Sequence, residues 1–181
     1  CRHVYGTRLS FNNSRLFNHQ GDSICIWDIE NEELLYTTPS VLYSYNLSAS
    51  ENYFFVAVGD EGNRDEDTTL QLWNFRTNTF SELLTENVII VTPGSSEFSH
   101  DEKFLAVFRS GDVFIWDIET KNLITSFPIA SGGIEGLMIS PNDEFIAFNT
   151  SSMLMNSSPD NHIYVWDTRN WTQVYEIDKY H

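Results

Sequence analysis

The densest group of residues able to do chemistry is Gly59-Asp60-Glu61-Gly62-Asn63-Arg64-Asp65-Glu66-Asp67, with five carboxylates and one base. Clustered carboxylates can hold calcium, which takes roughly six to eight oxygens. The spacing departs from the D-x-D-x-D-G loop, because Asp65 sits where the sharp-turn glycine belongs. Three readings stand: a calcium loop, a docking patch for a basic partner on Asp60, Glu61, Asp65 and Glu66, or a solvated loop. A second unusual segment, Asn149 to Asp160, has Met153, Leu154 and Met155 at its centre between small polar residues. Apolar side chains there either fold back onto their own strands or meet another protein.

Catalytic patterns are missing. The chain has no nucleophile elbow, Walker loop, dinucleotide-binding glycine run or H-E-x-x-H pair. His3, His19, His100, His162 and His181 are scattered, with no metal-ligand spacing. Carboxylates are so abundant that no acid/base pair stands out. Neither an enzyme nor a resident metal or cofactor is expected, and no small-molecule ligand.

Charge narrows the partners. Against 10 Lys and Arg stand 26 Asp and Glu, for a net charge of −16. Such a field repels phosphate backbones, so nucleic acid is not an expected ligand, whereas a basic protein surface is a natural one. No run of 18 apolar residues suggests a membrane span. Cys1 and Cys25 form no C-x-x-C pair and no disulfide framework, which fits a reducing, cytoplasmic setting.

The elements that carry these residues are repeated. Trp27, Trp73, Trp116 and Trp166 stand 46, 43 and 50 residues apart. Each closes a short apolar run, in Ile26-Trp27-Asp28, Leu72-Trp73-Asn74, Ile115-Trp116-Asp117 and Val165-Trp166-Asp167. Upstream of each stands an apolar residue followed by serine: Leu9-Ser10, Leu47-Ser48, Phe98-Ser99 and Ile139-Ser140. A polar turn and a β-branched or aromatic run follow each pair, as in Tyr53 to Val58 and Phe104 to Phe108. After the tryptophan come another turn and a fourth run: Glu33 to Tyr36, Phe80 to Leu84, Leu123 to Phe127 and Thr172 to Tyr175. Each unit therefore reads as four short strands, and no stretch shows capped helical periodicity.

On these residues the whole chain resembles the WD-repeat family of β-propellers. The resemblance implies an all-β fold of about four blades of four-stranded antiparallel sheet, over residues 1–38, 39–85, 86–128 and 129–178. WD propellers run to about seven blades, so an incomplete, open arc of a larger ring is expected. It places each tryptophan on a third strand, in a hydrogen-bonded network with a Gly-His histidine and a turn Asp six residues earlier. Asp67 and Asp160 hold that turn position, Gly21 and Ser110 replace it elsewhere, and the Gly-His pair is absent, with Ile129-Ala130 near one of its places. Trp27, Trp73, Trp116, Trp166, Asp67 and Asp160 are thus expected to be structural.

Function is expected where the repeats differ. Marker serine to tryptophan is 17 residues in blades one and three but 25 and 26 in blades two and four. The excess is the acidic insert and the Met-Leu-Met insert. The implied role is a non-enzymatic scaffold that binds other proteins through loops and blade rims; the alternative is an accessory propeller attached to a catalytic domain outside this chain.

Overall fold

The computed structural model describes residues 7–10, 14–20, 23–38, 42–58, 69–77, 79–84, 96–109, 111–129, 133–151 and 162–178. Among them every regular element is a β-strand. Among the described residues no helix is long and apolar enough to cross a membrane.

The strands form four antiparallel four-stranded sheets, each a meander in chain order. Sheet one is β1 (Thr7–Leu9), β2 (Arg15–Gln20), β3 (Ser23–Asp28) and β4 (Glu33–Thr37). Sheet two is β5 (Leu42–Leu47), β6 (Tyr53–Val58), β7 (Thr69–Asn74) and β8 (Thr79–Leu84). Sheet three is β9 (Ser96–Phe98), β10 (Phe104–Arg109), β11 (Asp112–Asp117) and β12 (Leu123–Pro128). Sheet four is β13 (Gly133–Ile139), β14 (Phe145–Ser151), β15 (His162–Asp167) and β16 (Thr172–Asp178).

Local chemistry fixes where these strands begin and end. Each first strand stops one residue before its marker serine, and the serine then closes the turn. Its Oγ accepts the amide five residues on: Arg15 at 2.9 Å from Ser10, Tyr53 at 3.1 Å from Ser48, and Phe104 and Phe145 at 3.0 Å from Ser99 and Ser140. Its own amide donates to the carbonyl of that same residue. Three residues past the serine, Glu51, Glu102 and Asp143 adopt φ of 60°, 57° and 58°. That left-handed backbone favours glycine. Here carboxylate residues take it without one.

The sheets stack face to face with three apolar seams between them. The first joins Phe17, Ile24 and Ile26 to Leu47, Phe54, Val56 and Trp73. The second places Trp116 and Ile118 with Phe55, Leu70 and Leu72. The third joins Ile115 and Phe127 to Ile146 and Phe148, with Trp166 packed against them. Inner strand β9 lies beside both β5 and β13. Asn46 ties that inner zone, its Nδ2 donating to the Ser96 carbonyl at 2.7 Å and to Glu97 Oε2 at 3.2 Å. Two-sided burial explains why the middle strands read as continuous apolar runs and not as strict alternation.

Register sets what lies on each edge. Arg15 at the start of β2 pairs with Asp28 at the end of β3, and Phe104 pairs with Asp117 in the same way. First and third hairpin turns therefore share one edge of the stack, the turn edge. The strand ends that flank both inserts, Val58 and Thr69, and Ser151 and His162, lie on the opposite edge, where the chain also passes between sheets.

Candidate functional site

The turn edge concentrates carboxylates, and their geometry shows what occupies them. Asp28, Asn74, Asp117 and Asp167 follow the four tryptophans and cap the next turn. Asp28 Oδ1 accepts the Asn31 amide at 3.0 Å, and Asn74 Oδ1 accepts the Arg76 amide at 2.9 Å. Asp117 Oδ1 accepts the Thr120 amide at 2.6 Å and its hydroxyl at 2.8 Å. Asp167 Oδ1 accepts the Arg169 amide at 2.9 Å and Nε at 3.0 Å. These bonds hold Asp28, Asp117 and Asp167 below the usual aspartate range, through the Asn31 amide, the Thr120 amide and the Arg169 side chain respectively.

A second set of carboxylates reaches between sheets. Glu102 of sheet three accepts the Ser50 amide of sheet two at 3.0 Å and Asn52 Nδ2 at 3.1 Å. Burial pushes the Glu102 carboxyl up, but hydrogen bonds from Ser48, Ser50 and Asn52 outweigh it and the net shift is downward. Asp143 of sheet four accepts the His100 amide at 2.7 Å and the Asp101 amide at 2.8 Å from sheet three. His100 Nδ1 lies 3.1 Å from the same carboxylate. Glu51 holds the matching position in sheet two; its Oε2 is buried with no hydrogen-bond partner among the described residues. Each of these residues is the left-handed one, third after the marker serine. Of the three, Glu102 and Asp143 bridge to the sheet before, and no sequence motif pointed to those bridges.

The tryptophans sit where the seams are. Trp73 packs on Tyr36 of the preceding sheet with centroids 4.8 Å apart, and on Phe80 of its own sheet at 4.9 Å. Trp166 stacks on Phe127 of sheet three at 4.0 Å and 12°. The indole nitrogens of Trp73, Trp116 and Trp166 are buried and find no hydrogen-bond partner among the described residues. An unpaired buried donor costs about 1–3 kcal/mol. At Trp73 and Trp166, ring packing across the seam works against that cost. Trp27 differs: it is only half-buried and belongs to none of the three seams.

The remaining sequence candidates, Asp60, Glu61, Asp65, Glu66, Asp67, Met153, Leu154, Met155 and Asp160, lie outside the described residues. Among the described residues no group of three or more His, Cys, Asp or Glu side chains is placed to hold a metal ion. A crevice of ≈ 260 Å³ opens between sheets three and four, lined by Pro128, Ile129, Tyr164, Trp166, Gln173 and Glu176. Glu176 on its rim accepts from Gln173 Nε2 at 3.2 Å, and His162 Nδ1 lies 3.3 Å from its other oxygen.

No family model matches the chain, and no curated protein matches it. Solved structures do. A chain of hydrazine synthase from Kuenenia stuttgartiensis superposes with a TM-score of 0.70 at 13% sequence identity, covering 96% of this chain and 48% of the other. This chain thus spans about half the length of that one. At such identity the likeness concerns the fold alone, and the repeated all-β sheets are consistent with a β-propeller.

Proposed function

We propose that this chain is an open arc of a WD-repeat β-propeller that serves as a scaffold for other proteins and carries no reaction of its own. The observation that supports it best is the occupation of the turn-edge carboxylates. Asp28, Asp117 and Asp167 cap turns, and Glu102 and Asp143 bridge sheets, so the polar groups the repeat brings together stabilise the stack. Recognition then falls to the opposite edge, where the acidic insert around Asp60, Glu61, Asp65 and Glu66 and the Met153-Leu154-Met155 insert join the strands. A net charge of −16 steers basic protein surfaces and disfavours nucleic acid.

The test is site-specific photo-crosslinking from position 154, followed by affinity measurement on the protein captured. The expected result is a discrete partner whose affinity falls at least tenfold when Met153, Leu154 and Met155 all become Ser. Unaltered stability together with unaltered affinity for every captured protein would sink the proposal.

One observation favours a second reading. The hydrazine synthase chain belongs to an enzyme and is about twice as long as the segment that matches. This chain would then be an accessory propeller beside a catalytic domain. Loss of an activity on deletion of these sheets from a longer protein would favour that reading.

A further inference from the structure

The crevice between sheets three and four opens where one position of the repeat changes character. On the fourth strand of each sheet, the residue opposite the tryptophan is Leu34 at Trp27, Phe80 at Trp73 and Leu123 at Trp116. Opposite Trp166 it is Gln173. In sheet two the apolar partner lies on the indole, with Phe80 and Trp73 centroids 4.9 Å apart. Sheet four supplies no apolar side chain at that place, and Trp166 and Gln173 both line the crevice of ≈ 260 Å³. The crevice lies between two described sheets, on the seam they share, and not on the outer face of an end sheet.

Further along the same pair of strands, Glu176 stands opposite Tyr164. Strand alternation puts Tyr164 and Trp166 on one face of β15, and both line the crevice together with Glu176. The two rings are partly buried and held from behind, Trp166 by Phe127 at 4.0 Å and Tyr164 by Phe148 at 5.5 Å. Ile129 and Phe148, both buried, form the inner end. The Glu176 side chain stays 47% exposed at the mouth. Its Oε2 accepts from Gln173 Nε2 at 3.2 Å, which leaves the Gln173 amide oxygen as an acceptor beside the carboxylate. Among the described residues no Lys, Arg or His lines the crevice. Sheet two also has a carboxylate at this register, Glu82 opposite Gln71, but there Phe80 covers the flank of the tryptophan.

Aromatic faces beside acceptors select a cation, and a planar one. The ring quadrupole attracts positive charge, and a net charge of −16 adds to the pull. An ammonium is compact and strongly hydrated, and a quaternary ammonium brings no N–H for Glu176 or Gln173. A guanidinium is weakly hydrated, stacks on aromatic rings and presents a fork of donors to a carboxylate. At ≈ 260 Å³ the crevice is smaller than the about 300–1,000 Å³ usual for small-molecule sites, which suits a single side chain. We propose that it receives an arginine side chain of a partner protein, the guanidinium packed against the Trp166 and Tyr164 rings and hydrogen-bonded to the Glu176 carboxylate. This deepens the scaffold reading and rests on its basic-partner half, but it needs neither insert.

The experiment follows the indole N–H resonance of Trp166 in the isotope-labelled whole chain, identified by its loss in Trp166→Phe. The probe is the peptide acetyl-Ala-Arg-Ala-amide, with its lysine analogue and tetramethylammonium as comparison cations. The expected result is a saturable shift with the arginine peptide. In Glu176→Gln the affinity should fall roughly tenfold through loss of a charge-assisted hydrogen bond. In Gln173→Leu, which restores the apolar partner found opposite Trp27 and Trp116, the shift should vanish. Circular dichroism checks the fold of each variant, and Glu176→Gln decides if Gln173→Leu fails to fold. Absence of a saturable shift with the arginine peptide overturns the proposal. So does equal affinity for the lysine analogue or tetramethylammonium, or unaltered affinity in either folded variant. These titrations and the crosslinking from position 154 probe different surfaces, so the crevice and the insert reading fail separately.

Discussion

Ser99 shows how much a single side chain does in this repeat. It is fully buried, its Oγ accepts the Phe104 amide at 3.0 Å and donates to the Phe104 carbonyl at 3.1 Å. Ser99→Ala leaves a buried amide one partner short and should lower stability by about 1–3 kcal/mol in urea unfolding. Ser10 and Ser140 make the same turn bond on their own sheets. The marker serines were visible as a repeat signal because apolar-Ser pairs recur at a fixed place before a polar turn, but the bond each makes across that turn was not. The left-handed backbone of Glu51, Glu102 and Asp143 was not legible, since the usual glycine signal is missing there. Nor were the bridges from Glu102 to Ser50 and from Asp143 to His100, because each joins residues far apart in sequence.

At the scale of elements, hairpins and seams carry separate costs. Gly111, between β10 and β11, has φ of 94°, and a Cβ built there meets nothing within 4 Å. Gly111→Ala should therefore cost about 1 kcal/mol or slightly more through backbone strain alone, with unchanged packing. Phe127→Ala removes the ring stacked on Trp166 at 4.0 Å and should cost about 3–5 kcal/mol. The two losses are checked by denaturant melts, and the steeper one belongs to the seam. Strand positions were read well from sequence: the run Tyr53 to Val58 is β6, and Thr172 to Tyr175 opens β16. Turn-bounded β-branched and aromatic runs leave few alternatives. Which face of each strand meets which neighbour was not readable, because strands buried on both sides lose their alternation.

For the whole molecule, the carboxylates of the turn edge set the acid limit. Asp28, Asp117 and Asp167 titrate below their ordinary 3.8 in the folded chain, and Glu102 below its ordinary 4.5. Their stabilisation is complete above those ordinary values and is lost as pH falls through the lowered ones. The melting temperature should hold steady down to pH 4.5 and fall below it. Glu102→Gln should soften that fall. Trp73, Trp116 and Trp166 stack the sheets in series, each on the sheet before. Double-mutant cycles across the three seams, Tyr36 with Trp73, Leu72 with Trp116 and Phe127 with Trp166, test it most directly. Stacking in series predicts a favourable coupling at every seam, about 0.5–1.5 kcal/mol for the two aromatic pairs. Additivity within about 0.3–0.5 kcal/mol at all three seams would contradict it.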